Sequence, residues 1–333
     1  MPLMLATVLA LALGAGLLIA GCAGSTKNST DESAETTMAA SAPRADFSGL
    51  VKIGGGRKIY MTCQGTGSPT VVLVSGRPDA GDIWSVTADS KNGRPVFDEV
   101  AKFTRVCAYD RPGTMRQDDK LSPSTPVEQP TSAKPAAADL DALLRASGEP
   151  APYVLAGHSF GGPVVRFYAG AHPAEVGGLV LVDALSEDLW NGLSPKQVAV
   201  YEEINAAPPG SHLEDLDHPA IFRQLREAPP APTVPTVVLT ADRPPLPLTK
   251  EALAKEQLPA GVDQEFTNDL WDSQLAAQEK LAEKFPGAEH VTDTNSSHYI
   301  HIYNPQLVSD SIRRVVEAER DGEKTVGDVK GAD

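Results

Sequence analysis

The chain has 333 residues, 41% of them hydrophobic and 22% charged, enough to bury the core of one sizeable globular domain. Asp and Glu number 44 against 29 Lys and Arg, a formal net charge of -15. That balance excludes nucleic acid as a partner, because a binder needs a basic surface to displace the counterions of the phosphates. It also means that attachment to an anionic membrane has to come from a dedicated segment.

In chain order, such a segment comes first. Residues 1–21 carry no charge and run through Leu5, Val8, Leu9, Leu11, Leu13, Leu17, Leu18 and Ile19. This is the character of an export signal, although no Lys or Arg precedes the apolar stretch; left uncleaved, a helix of this length would span a bilayer. The segment ends in Ile19-Ala20-Gly21-Cys22, which resembles the lipobox of bacterial lipoproteins. The resemblance implies cleavage before Cys22, lipid on that cysteine, and a location in the cell envelope on the outer face of the cytoplasmic membrane. Residues 22–47, rich in Ser, Thr and Ala, are expected to form a flexible stalk. Residues 48–316 form the main domain, and the charged, Gly-containing stretch 317–333 is expected to be a disordered tail.

Within 48–316, short β-branched runs alternate with helical stretches, the signature of an α/β fold with a mostly parallel sheet covered by helices. Strands are expected at 50–53 and 58–63, flanking the hairpin signal Gly54-Gly55-Gly56. Others follow at 70–74, 105–109, 153–156, 179–182, 236–239 and 290–292. Several are continuous apolar runs, as strands buried on both faces should be. Helical spacing covers 136–146, 162–171 and the region around 268–284. The interval 185–235 is too long for a simple crossover and holds Pro, Glu and amphipathic pieces around Trp190, which predicts a lid or cap.

The pattern that carries chemistry is Gly157-His158-Ser159-Phe160-Gly161, with the apolar run Tyr153-Val154-Leu155-Ala156 before it and a helical pattern after it. A sharp strand-to-helix turn puts a serine in a strained conformation with its hydroxyl exposed, and flanking glycines allow that turn. A serine hydroxyl needs an adjacent base, and His298, in a loop of small polar residues late in the chain, is the candidate among seven histidines. His158 lies inside the turn with its side chain directed away from the hydroxyl, His172 precedes a proline at a helix end, and His301 is expected to pack. No histidine pair stands at metal-binding spacing with a carboxylate, so neither metal nor cofactor is expected.

Here the chain resembles the α/β-hydrolase superfamily over about residues 50–316. The resemblance rests on the elbow at Gly157–Gly162, on Cys107-Ala108-Tyr109-Asp110-Arg111-Pro112-Gly113 after the fourth strand, and on Ser297-His298-Tyr299-Ile300-His301 before a last helix. It implies an eight-stranded sheet flanked by helices and a Ser, acid, His triad. Most relatives place the acid after strand seven, where this chain has Asp242 about two residues early. Haloalkane dehalogenases that place it after strand six match Leu181-Val182-Asp183-Ala184. Asp183 is the preferred acid and Asp242 the alternative. The oxyanion hole would take its backbone N–H groups from Phe160 and from Arg77 in Ser75-Gly76-Arg77-Pro78, Pro78 having no N–H to give. The Arg77 side chain would meet a substrate carboxylate or remain in solvent. Asp110 and Arg111 would hold a loop. Trp84, Trp190 and Trp271 would pack or wall an acyl pocket. The implied strand order brings Cys63 and Cys107 together, allowing a disulfide.

A serine rather than an aspartate at the elbow points to acyl transfer, so the expected activity is cleavage of a carboxylic ester by a monomeric enzyme acting on a small-molecule ester or amide. Two alternatives stand beside it. One is a proline iminopeptidase-like aminopeptidase whose amine site would draw on Glu187, Asp188, Glu202, Glu203, Glu214 and Asp215. The other is a surface binding protein that has lost catalysis.

Overall fold

The computed structural model describes residues 45–89, 91, 93–244 and 259–327. Cys22, the signal segment and nearly all of the expected stalk lie outside these residues. The eight strands are β1 (Phe47–Gly54), β2 (Arg57–Gln64), β3 (Thr70–Val74), β4 (Val106–Asp110), β5 (Tyr153–His158), β6 (Val176–Val182), β7 (Thr236–Leu239) and β8 (Glu289–Val291). They form one sheet in the order β1-β2-β4-β3-β5-β6-β7-β8. β2 runs antiparallel to both neighbours, and the pairings from β4 to β8 are all parallel.

The all-apolar strands are explained by two cores, one on each face. Val71 and Leu73 of β3, Val154 and Ala156 of β5 and Val180 and Val182 of β6 enter one, while Val72, Val74, Leu155, Leu179 and Leu181 enter the other. Successive side chains alternate sides, so with helices on both faces neither set can be polar. The helices are α1 (Val96–Val100), α2 (Ala133–Ser147), α3 (Gly161–Ala171), α4 (Pro195–Asn205), α5 (His218–Glu227), α6 (Gln264–Glu283), α7 (Ile300–Tyr303) and α8 (Pro305–Arg320). α2 stops where Gly148 takes φ +69, the left-handed cap that glycine supplies without strain. α8 starts with Pro305 at its first position and the Asn304 side chain accepting from the Leu307 N–H.

The interval 185–235 holds α4 and α5 between β6 and β7, an insertion at the C-terminal end of the sheet. The sequence boundary at 316 is corrected. α8 continues to Arg320, and Val316 and Ala318 are buried, so the apolar stripe of this helix carries order past the point where charge alone suggests a tail. Among the described residues, no helix is long and apolar enough to cross a membrane.

Candidate active site

β5 ends at His158, and the chain turns through Ser159 into α3. Ser159 holds φ +49, a region that side chains other than glycine rarely adopt. Packing enforces the turn. A Cβ on Gly157 would stand 2.6 Å from the Gly161 carbonyl oxygen, and one on Gly161 would stand 2.2 Å from that of Val74. The Ser159 N–H donates to the Val182 carbonyl at 3.2 Å, and its own carbonyl accepts from Gly162 and Leu185, each at 2.9 Å.

The loop after β3 closes over this turn. A Cβ on Gly76 would lie 2.7 Å from Ser159 Cβ and 2.8 Å from His158 Nδ1. Only glycine lets the backbone come so near. Arg77 follows, and among the described residues neither its N–H nor that of Phe160 donates a hydrogen bond. The Arg77 side chain reaches the insertion, where its Nε donates to the Glu214 carbonyl at 2.9 Å, and it stays partly exposed.

His298 stands on the loop between β8 and α7. Its Nδ1 donates to Asp183 Oδ2 at 2.6 Å, with the imidazole side chain 45% exposed and the carboxylate 2% exposed. Asp183 Oδ1 accepts from the Ala241 N–H at 3.2 Å and from Gln274 Nε2 at 3.3 Å. A carboxylate on Nδ1–H fixes the tautomer and leaves Nε2 as the basic nitrogen. Asp242 is not in this contact. Its carboxylate accepts from the N–H groups of Asn295 and Ser296, both at 2.8 Å, and so fastens the loop that carries His298.

Behind His298 lies a layer of buried rings. His158 Nε2 donates to the His298 carbonyl at 3.1 Å, and the two ring centroids are 4.6 Å apart. His301 packs 4.4 Å from His158 and 4.5 Å from Trp84, as the packing expectation has it for both residues. Burial pushes His158 well below the usual histidine range and His301 down to about 3. Both rings are neutral at pH 7 and put no positive charge beside His298. Asp79, two residues past Arg77, is pushed up by burial, opposed by the Arg111 guanidinium and a hydrogen bond from Tyr299.

Asp110 and Arg111 hold loops. Asp110 accepts from the Gly81 N–H at 2.9 Å and from Arg116 at 2.6 Å. Arg111 pairs with Glu214 at 2.6 and 2.8 Å and donates to the carbonyls of Ser75 at 2.6 Å and Gly76 at 3.1 Å. Cys63 and Cys107 are register partners across β2 and β4 and form a disulfide. Sequence reasoning did not find Gln274, Asp79 or the place of Glu214 in this site. No local pattern marks them, since each acts through a contact between distant parts of the chain.

A model of the alpha/beta hydrolase family matches residues 71–321. An uncharacterized protein of Schizosaccharomyces pombe is 41% identical over 81 residues, 24% of this chain and 14% of that protein. A monoacylglycerol lipase of Mycolicibacterium smegmatis is 35% identical over 72 residues, 22% of this chain and 25% of that protein. The chain thus spans a quarter or less of the curated relatives it matches. Among solved structures, an esterase from Thermogutta terrifontis aligns at TM-score 0.50 with 19% identity, covering 83% of this chain and 99% of that one. A membrane phospholipase A described as a bacterial virulence factor aligns at 0.51 with 19% identity, covering 83% and 87%. At such identities these two likenesses concern the fold alone.

Proposed function

The chain belongs to the α/β-hydrolase family, and from that premise we propose that it is a serine hydrolase that cleaves carboxylic esters through an acyl-enzyme, with Ser159 as nucleophile, His298 as base and Asp183 as orienting acid. The observation that carries this reading is the 2.6 Å bond from His298 Nδ1 to a buried Asp183 carboxylate, at the same end of the sheet as the strained Ser159 turn. Ser159 Oγ attacks the ester carbonyl as its proton passes to His298 Nε2, and Asp183 stabilises the imidazolium. The N–H groups of Arg77 and Phe160 receive the charge on the carbonyl oxygen. The alcohol leaves with the proton from His298. Water, activated by the same nitrogen, then releases the acid and restores the serine. The segment shared with a monoacylglycerol lipase is consistent with an ester substrate.

The aminopeptidase reading is disfavoured because several acids it needs already have cations. Glu187 pairs with Arg166 at 2.7 Å, Asp188 with Lys284 at 2.7 Å and Glu214 with Arg111 at 2.6 Å. A fluorophosphonate probe is expected to label the protein at Ser159 and to leave Ser159→Ala unlabelled. Labelling that survives in Ser159→Ala would favour a non-catalytic surface protein. p-Nitrophenyl esters are expected to turn over and proline p-nitroanilide to be inert.

The N-terminal reading is also a proposal: an exported monomer carried on the outer face of the cytoplasmic membrane by lipid on Cys22. Incorporation of labelled palmitate that Cys22→Ser abolishes is the expected result.

A further inference from the structure

We infer that Glu214, a residue of the insertion between β6 and β7, is a positioning residue of the oxyanion hole. The inference rests on the proposed role of the Arg77 N–H as an oxyanion donor. The Gly76 carbonyl and the Arg77 N–H belong to one planar peptide unit and point in opposite directions. Whatever holds the carbonyl therefore aims the N–H. Arg111 Nη2 donates to that carbonyl at 3.1 Å, and the Asp79 N–H shares it at 3.0 Å. Arg111 Nη1 takes the preceding carbonyl, Ser75, at 2.6 Å, so one guanidinium grips two successive peptides of the loop. The same guanidinium faces the ring of Phe160, which carries the other donor, with 5.2 Å to the centroid.

A cation this deeply buried can hold such a geometry only if it is neutralised and oriented. Glu214, 1% exposed, does both: its two carboxylate oxygens accept from Arg111 Nε at 2.6 Å and Nη2 at 2.8 Å. Glu214 is itself fastened at its backbone. Its N–H donates to the Gly113 carbonyl at 2.8 Å, and its carbonyl accepts from Arg77 Nε at 2.9 Å. The approach is so close that a Cβ on Gly113, where φ is +82, would lie 2.7 Å from the Glu214 nitrogen. The route from insertion to donor is short: Glu214 carboxylate, Arg111 guanidinium, Gly76 carbonyl, Arg77 N–H. Charge-assisted donation to a carbonyl also polarises its peptide and strengthens the N–H at the other end as a donor.

Losing one oxyanion donor outright costs about a hundred- to a thousandfold in kcat, so a donor left in place but no longer aimed should cost about ten- to a hundredfold. The test compares Glu214→Gln with Glu187→Gln, which breaks a similarly buried ion pair, Glu187 to Arg166 at 2.7 and 3.0 Å, away from the oxyanion loop. kcat and KM are measured on a p-nitrophenyl ester, and affinity is measured for a trifluoromethyl ketone that forms a tetrahedral adduct. Glu214→Gln is expected to lower kcat and ketone affinity by the same factor with KM within about threefold, and Glu187→Gln to lower the melting temperature while keeping kcat within about threefold. Wild-type kcat in Glu214→Gln, or an equal loss in both variants, overturns the inference. If Glu214→Gln does not fold, Arg111→Lys replaces it. Lysine keeps a buried cation but cannot serve the carboxylate and both carbonyls from a fixed fork; the same kcat loss is expected, and wild-type kcat there is equally fatal. Failure of fluorophosphonate to label the wild type at Ser159 would instead defeat the parent reading, and the inference would fall with it.

Discussion

β6 and β7 are neighbours in the sheet, and each is followed within a few residues by an aspartate directed to the His298 loop, yet the two carboxylates do different work. Asp183 turns at φ +39, its N–H donates to the Leu239 carbonyl at 2.7 Å, and its side chain is buried against the imidazole. Asp242 is exposed; its N–H donates to the Ser296 carbonyl at 3.1 Å, and its carboxylate caps the Asn295 and Ser296 N–H groups. One aspartate serves the ring and the other serves the backbone that presents the ring. Being near the end of a strand is common to both. The difference comes from the direction in which the chain leaves the sheet.

The comparison breaks most decisively at Asp183→Asn, which is expected to lower kcat about ten-thousandfold by leaving the imidazole in the wrong tautomer. Steady-state turnover of a p-nitrophenyl ester near the wild-type value would move the acid elsewhere. The contrast between exposed and buried groups extends to the histidines. Burial depresses His158 and His301, the latter to about 3, so below pH 6.5 the unfolded chain binds more protons than the folded one at these sites. Their contribution to stability is present above pH 6.5 and drains away as pH falls, by up to about 1.4 kcal/mol per pH unit for each ring. Urea midpoints at pH 7 and pH 5 should show the loss, and His301→Phe should make it shallower.

Asp242→Asn sharpens the comparison from the other side. It is expected to keep kcat within about threefold and to cost about 1 kcal/mol of stability, visible as a lower melting temperature. A collapse of kcat to the level of Asp183→Asn would erase the distinction between the two loops. The smallest effect is expected at Gln274→Ala, which removes one long bond to Asp183 Oδ1 and should lower kcat by about threefold without altering KM.

Much of this architecture is legible in the chain because its signals are local. The eight strand runs, the elbow glycines and the helix after Ser159 depend on neighbours in sequence, and β4 and β8 lie within one residue of the expected bounds. The choice between Asp183 and Asp242 is harder to read. Both are short acids after apolar runs, and only the path of the 292–299 loop separates them. Glu214 is less legible still: it resembles any acid of a charged loop until Arg111, 103 residues earlier, meets it. The end of α8 was missed for a related reason. Its last turns alternate buried apolar residues with exposed charge, and composition averages the two.

The cross-link between β2 and β4 gives the protein's stability a dependence on where the chain folds. Cys63 and Cys107 lie 44 residues apart, and closing a loop of that length removes about 4 kcal/mol of disorder from the unfolded chain on the chain-entropy model. A copy that stays in a reducing compartment folds without this constraint and, as domains of ordinary stability have only about 5–15 kcal/mol in hand, spends more time open to proteases. A copy that reaches an oxidising one gains the constraint on arrival. The same sequence therefore has two stabilities, separated by the redox state of its surroundings.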